Sequence, residues 1–521
     1  MGLERILVAF LVITSSLFTC LAAHQVKDQQ KRSAEPQQQQ KSTKAAKAQP
    51  ARPEEIVLLI NNIRSAPPEF AADLLIRVAE SDKVADPAWK RELIEEAFRL
   101  AQAVQQPVKR VALPASPTDT RAGYLASAFE LKMDALSLQS RAVSAMLSVD
   151  KRKARELFSE IPKLQLQPLT CEDALIYEVS EFYGTLRKVV ETAFTQRELR
   201  NNEHVWLVES YISQMVSPVE VAPTLEVIAS IKVSRSQREA LIGAFCKQLS
   251  NLSGDDRSFT SSLHHVDQGM KNFITQCLQQ GISVDELLRA YRTYLVRHFK
   301  AARCADNAAF FPKRIEQATI SDFNKLRLHS SKNVPEISAD DIKPLQVQGT
   351  VNNHMHWQSP KASALLMKVK KLRFGSGKTP LTTAERDSFK WQDEVSDFLK
   401  DLADWEKEDE QSEEDYFHQK CMLFRTLIQM IPQKATREDV IKDFVGFLNE
   451  FDLDRGSRIE WFWQARFLLK DSPYFDGPSG SAPSYVVKRS DMMPIVETTK
   501  NPILYLYTQA EKLLSDGVRK E

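Results

Sequence analysis

The sequence predicts an all-α protein, an irregular array of antiparallel helix hairpins, solenoid-like or multi-bundle, with little β structure. Three observations lead there. Helix-capping chemistry recurs along the chain, apolar residues follow it at helical spacing, and glycine is scarce, 15 in 521 residues, well under the usual roughly 7%. Few glycines leave few positions for tight hairpins or phosphate-cradling loops.

At the N-terminus, residues 1–5 carry Arg5, residues 6–18 are mostly apolar, and Thr19-Cys20-Leu21-Ala22-Ala23 is a small-residue stretch. This three-part form predicts a signal peptide over 1–23, cleaved after Ala22 or Ala23, and an exported protein, secreted or periplasmic. Thr14, Ser15 and Ser16 interrupt the apolar run, which is short of the roughly 20 residues a spanning helix needs. The alternatives are an N-terminal membrane anchor, or lipidation of Cys20, since Leu17-Phe18-Thr19-Cys20 loosely resembles a bacterial lipobox.

Residues 24–52 hold eight Gln, seven Lys or Arg, two acids and one large aliphatic, Val26. Such a segment buries too little apolar surface to offset its ordering entropy, so a disordered basic tether is expected. Its net charge is +5 in a chain of +1, which leaves 53–521 at −4. The arm is suited to weak electrostatic contact with a membrane or cell wall, and no nucleic-acid partner is expected.

The remainder divides into an N-terminal helical region (53–330), a linker or short hairpin (331–357) and a C-terminal helical region (358–521). Helix starts are read where a Ser, Thr or Asp oxygen can accept an orphan N–H with an acid in the first turn. Thr170, Ser283, Thr382, Ser412 and Thr436 each have that form, and Asp86-Pro87 adds the N1-proline version. Helical spacing follows in Leu93, Ala97, Leu100, Ala101 and Val104, in Trp391, Val395, Phe398 and Leu402, and in Phe417, Cys421, Phe424 and Ile428. Starts near 382, 412, 436 and 457 suggest consecutive antiparallel neighbours. The stretch 331–357 breaks the pattern, as does 472–494, a loop before a last helix beginning near Pro502.

Removal of the signal leaves Cys171, Cys246, Cys277, Cys304 and Cys421, an odd and widely spaced set unlike a disulfide scaffold. No C-x-x-C occurs. Cys421 on an apolar stripe is expected to be a packed free thiol.

Several constellations touch chemistry without completing it. Gly375-Ser376-Gly377-Lys378-Thr379 lacks the first P-loop glycine, where Leu372 stands, and follows a basic helix instead of a strand. His354-Met355-His356 would place two imidazoles on one side of an extended chain without a third ligand, and His264-His265 diverge on a helix. Asp452-Leu453-Asp454-Arg455-Gly456 misses the EF-hand register. Glu209-Ser210 resembles the Glu-Ser opening of the lytic transglycosylases, whose Glu is a general acid; the resemblance covers this dipeptide alone, and the downstream Gly-Leu-Met-Gln element is missing. No catalytic, metal or cofactor residue is therefore assigned.

Segment 459–467 (Ile-Glu-Trp-Phe-Trp-Gln-Ala-Arg-Phe) is the candidate partner-binding surface, the alternative being a helix buried between two layers. Trp461, Phe462 and Trp463 point in three directions around a helix, so at least one ring must be exposed or meet a second packing partner. Segment 404–415, with eight acids and one Lys, reads as a hydrated helix end. The functional expectation is an exported helical scaffold that binds a protein or envelope component; the alternative is a cell-envelope hydrolase whose site is scattered through the sequence.

Overall fold

The computed structural model describes residues 52–515 apart from 113–120, 171–172, 255, 302, 306–311, 332, 343–346, 351–358, 378, 410, 452–456 and 474–485. Residues 1–51, with the expected signal peptide and most of the expected tether, Cys171, His354-Met355-His356 and Asp452 through Gly456 lie outside the described residues.

Helices carry the chain, as the capping and spacing predict. The first are α1 (Glu54–Ile63), α2 (Pro68–Glu80) and α3 (Pro87–Ala101), followed by the strand β1 (Arg110–Ala112). Next come α4 (Arg121–Phe129), α5 (Ala135–Leu147) and α6 (Lys151–Glu160), then β2 (Leu175–Tyr177), antiparallel to β1 with Val111 opposite Ile176. A long helical run follows: α7 (Ser180–Thr192), α8 (Gln196–Arg200), α9 (Glu203–Ile212), α10 (Val221–Ser230), α11 (Arg235–Asn251), α12 (Ser258–Gln279) and α13 (Asp285–Lys300). The strand β3 (Arg303–Ala305), α14 (Pro312–Ser330) and β4 (Val347–Thr350) come next, with β4 parallel to β3. The C-terminal series is α15 (Pro360–Phe374), α16 (Thr383–Arg386), α17 (Phe389–Ala403), α18 (Glu413–Met430), α19 (Lys434–Glu450) and α20 (Arg458–Ala465), which tightens into a 3₁₀ turn at Arg466–Leu469. A two-residue ladder of β5 (Ser472–Pro473) with β6 (Val486–Val487), then α21 (Arg489–Val496) and α22 (Pro502–Ser515), close the chain.

The caps act where local chemistry suffices. The Asp86 carboxylate accepts the Ala88 N–H at 3.0 Å ahead of Pro87. Thr382 and Glu385 form a reciprocal capping box, and the Ser412 hydroxyl accepts the Asp415 N–H. Beyond α15, Gly375 adopts φ +58°, and a Cβ there would stand 3.1 Å from the Leu381 side chain. The glycine thus ends a helix and turns the chain back, the role that competes with a phosphate loop.

Three starts differ. Thr436 lies inside α19, which opens at Lys434 without a side-chain cap. Ser283 stands two residues ahead of α13 and one ahead of its N-cap, Val284. Thr170 precedes β2 instead of a helix: the Asp173 carboxylate accepts the Thr170 N–H at 2.8 Å in a turn that leads into the β1 ladder. In the 331–357 stretch, the strand β4 pairs with β3 some forty residues earlier, not within a local hairpin.

Packing joins sequence neighbours (α2 with α3, α5 with α6, α18 with α19) and alternate helices (α3 with α5, α5 with α7, α10 with α12, α11 with α13, α15 with α17). The predicted stripes are the buried faces: Trp391, Val395, Phe398 and Leu402 of α17, and Phe417, Cys421, Phe424 and Ile428 of α18. Residues Pro50–Glu521 form one compact unit with a continuous core from Ile56 to Ala510. Its ends meet: α22 packs on α1 and α2, and α20 packs on α4. Among the described residues no helix is long and apolar enough to cross a membrane.

Cys246, Cys277 and Cys421 are buried free thiols. Burial pushes Cys246 up to about 12 and Cys277 to about 11, and raises Cys421 well above its ordinary range. The reactive thiolate is thereby suppressed. In the native protein these three cysteines are expected to resist a thiol-specific reagent at pH 8 and to react at once in urea; rapid native labelling at any of them, located by peptide mapping, would contradict the packing.

Candidate functional site

The aromatic segment is wedged, not displayed. Trp461 and Phe462 are each 1% exposed. Phe462 meets Phe70 of α2 with ring centroids 5.3 Å apart and Tyr507 of α22 at 4.1 Å. Trp463 is half-buried, with the Arg425 guanidinium 4.8 Å above its ring and Tyr124 of α4 at 5.9 Å. Trp461 and Phe462 belong to the core, and Trp463 is half-covered by α4 and α18 of the same chain, so the candidate partner-binding surface at Trp461, Phe462 and Trp463 is not presented as an open aromatic face. Trp461→Ala is expected to cost about 3–5 kcal/mol in urea unfolding, the usual range for a deleted core aromatic. A loss below ~1 kcal/mol would contradict that burial.

Beside these rings lies a polar pair that no sequence motif marks. His418 of α18 places Nε2 3.2 Å from the Glu460 carboxylate, while Gln464 Nε2 reaches His418 Nδ1 at 3.0 Å and Arg425 donates to Gln464 Oε1 at 2.9 Å. A base oriented by a carboxylate is a catalytic pattern. Here Tyr124 stacks flat on the imidazole, 4.6 Å between centroids and 3° between planes, and His418 and Glu460 are only 1% and 8% exposed. The pair locks α18, α20 and α4 together.

A second buried network joins the two ends of the chain and borders a cavity. Asp73, in the middle of the almost wholly buried α2, accepts from Arg141 at 2.7 Å, from Arg77 at 2.9 Å and from the Tyr507 hydroxyl at 2.8 Å. Burial alone would raise its pKa, but Arg77 and Arg141 outweigh that and hold the carboxyl below its ordinary value. Tyr507 is pushed well above the ordinary phenol by burial and by the Asp73 charge. From there the network surfaces: Glu511 bridges Arg77 and Arg489, each at 3.2 Å.

Against this network opens a recess of about 300 Å³ lined by Arg77, Phe462, Arg466, Leu469, Lys470, Asp471, Arg489, Tyr507 and Glu511. The Asp471 carboxylate accepts the Arg489 N–H at 2.6 Å. Arg466 is half-buried; its backbone N–H donates to the Gln464 and Phe462 carbonyls at the end of α20, and its guanidinium makes no hydrogen bond or ion pair among the described residues. Burial, and then the charge of Arg77, lowers its pKa. Lys470 is lowered in the same way by burial and by Arg466 and Arg77.

A shallower hollow of about 620 Å³ lies between the start of α9, the end of α10 and the start of α11, lined by Arg200, His204, Lys232 and Arg238 among others. Arg238 is committed to the backbone, donating to the carbonyls of Ile228, Ala229 and Ile231 at 2.6, 3.1 and 2.9 Å, so it caps α10.

The remaining candidates separate. Glu209 is exposed on α9 and lines neither recess. His264 and His265 are exposed on α12 with ring centroids 5.7 Å apart, and no group of three or more metal-ligating side chains occurs among the described residues. No family model, curated protein or solved structure matches the chain.

Proposed function

We propose that the chain is an exported helical scaffold that binds a protein or envelope component through its outer helix faces. Export rests on the residue pattern of 1–23. The observation that supports the binding reading is that two large rings are more than half exposed, with Tyr505 of α22 at 44% the next among the described residues. Trp206 on α9 is 60% exposed while Val205, Val208 and Ile212 of the same helix face inward, and Phe389 at the start of α17 is 79% exposed. Aromatic side chains in such positions are the usual anchors of a protein contact.

Affinity capture with residues 24–521 as bait, from an envelope extract of the protein's own source and with a salt wash, tests this. A retained protein that is lost with Trp206→Ser or Phe389→Ser supports the scaffold, since neither change should alter stability by more than about 0.5 kcal/mol. Retention indifferent to both substitutions, or no retention, sinks it. Release of soluble fragments from envelope substrates by the purified protein would favour the hydrolase instead.

A further inference from the structure

The recess between α2, the 3₁₀ turn, α21 and α22 has an unbalanced charge. Five cations (Arg77, Arg141, Arg466, Lys470 and Arg489) meet three carboxylates (Asp73, Asp471 and Glu511) in and beneath it, leaving a net +2. The carboxylates are already committed: Asp73 to Arg77 and Arg141, Glu511 to Arg77 and Arg489, Asp471 to the Arg489 backbone. Among the described residues no carboxylate pairs with the side chain of Arg466, which opens the turn that leaves α20, or with that of Lys470, which ends it. Like charges crowded into a partly desolvated hollow repel one another, and a ligand anion relieves that cost. A guanidinium fork beside an ammonium suits a tetrahedral oxyanion. The floor of Phe462, Leu469 and Tyr507 is apolar and can take a carbon skeleton, and the volume matches a small metabolite.

We propose that this recess binds the phosphate group of a phosphomonoester, held by Arg466 and Lys470 with its organic part against Phe462, Leu469 and Tyr507. The site stands independently of the scaffold reading, because it lies in the described fold and uses none of the residues assigned to partner contact.

Isothermal titration of the protein at low ionic strength with inorganic phosphate and with glucose 6-phosphate tests the assignment. Both should bind, and binding should weaken as NaCl is added. Arg466→Gln should raise the apparent Kd at least about tenfold, and Lys470→Gln at least about threefold, as expected for lost charge-assisted bonds. Lys470 is exposed, so its variant reports on the site without a folding defect. Arg200→Gln with Lys232→Gln in the other hollow should leave the affinity unchanged. No binding of either probe, or affinity indifferent to Arg466→Gln and Lys470→Gln, overturns the proposal. Co-sedimentation with phosphatidate-containing vesicles but not with phosphatidylcholine, lost with Lys470→Gln, would place the phosphate on a lipid headgroup; binding of glucose 6-phosphate without vesicle binding would place it on a soluble ester.

Discussion

Replacing Asp73 with Ala is expected to lower the stability of the folded unit by about 3–5 kcal/mol, the cost of removing one partner from a buried charge network. Asp73 gives one oxygen to Arg141 and the other to Arg77 and Tyr507. Its loss strands Arg141 without that counter-ion and leaves the buried Tyr507 hydroxyl without its acceptor. Tyr507→Phe removes only the single hydrogen bond and should cost about 1 kcal/mol or somewhat more. Urea midpoints at unchanged slope measure both, and the double variant should lose less than the sum, because the two residues share one interaction. A cost for Asp73→Ala below ~1 kcal/mol would mean that the network behaves as an exposed ion pair.

The second large effect depends on pH. His298 of α13 is fully buried, stacks on Phe259 at 4.3 Å and sets Nδ1 2.8 Å from the Tyr294 carbonyl. Burial lowers its pKa to about 4 from an ordinary 6.5, the carbonyl and the nearby Asp256 only partly opposing this. Between pH 6.5 and 4 the unfolded chain therefore binds the extra proton, so stability falls as the pH falls through this window, by about 3 kcal/mol in all. Asp134 acts in the opposite direction. Burial pushes its carboxyl from 3.8 up to about 6 although it accepts the Ser137 N–H, so the folded state binds the additional proton between those values and gains stability on acidification. The two contributions oppose each other in the parent protein. They separate in His298→Phe, whose stability relative to the parent should rise by about 3 kcal/mol between pH 7 and pH 4. A difference that stays constant across that range would mean that the imidazole protonates freely in the fold.

What could be read from the sequence follows the range of the forces involved. The α17 and α18 stripes and the Asp86, Thr382 and Ser412 caps depend on residues within a turn or two, and they stand as expected. Thr170 was misread as a helix start because its neighbourhood is set by β1, some sixty residues earlier. Phe462 and Trp463 read as surplus surface because their covers, Phe70 and Tyr507 for the first and Tyr124 and Arg425 for the second, come from distant segments. One signal was present and missed. Asp73 and Arg77 stand four apart in the otherwise apolar FAADLLIRVA, a spacing that puts an ion pair on one buried face. Arg466 and Lys470 gain meaning only when Arg77, Arg489 and Glu511 are brought beside them by the fold.

The Asp73–Tyr507 bond spans 434 residues. A chain emerging N-terminus first exposes α2, whose burial is completed only when α22 arrives, so its central carboxylate must wait for nearly the whole of synthesis before it meets that hydroxyl. Such late long-range closure is slow, since loop entropy is lost before the contact forms. Until then the apolar flanks of Asp73 are the natural target for a chaperone, and a chain that stops short of α22 is the form that proteases should remove first.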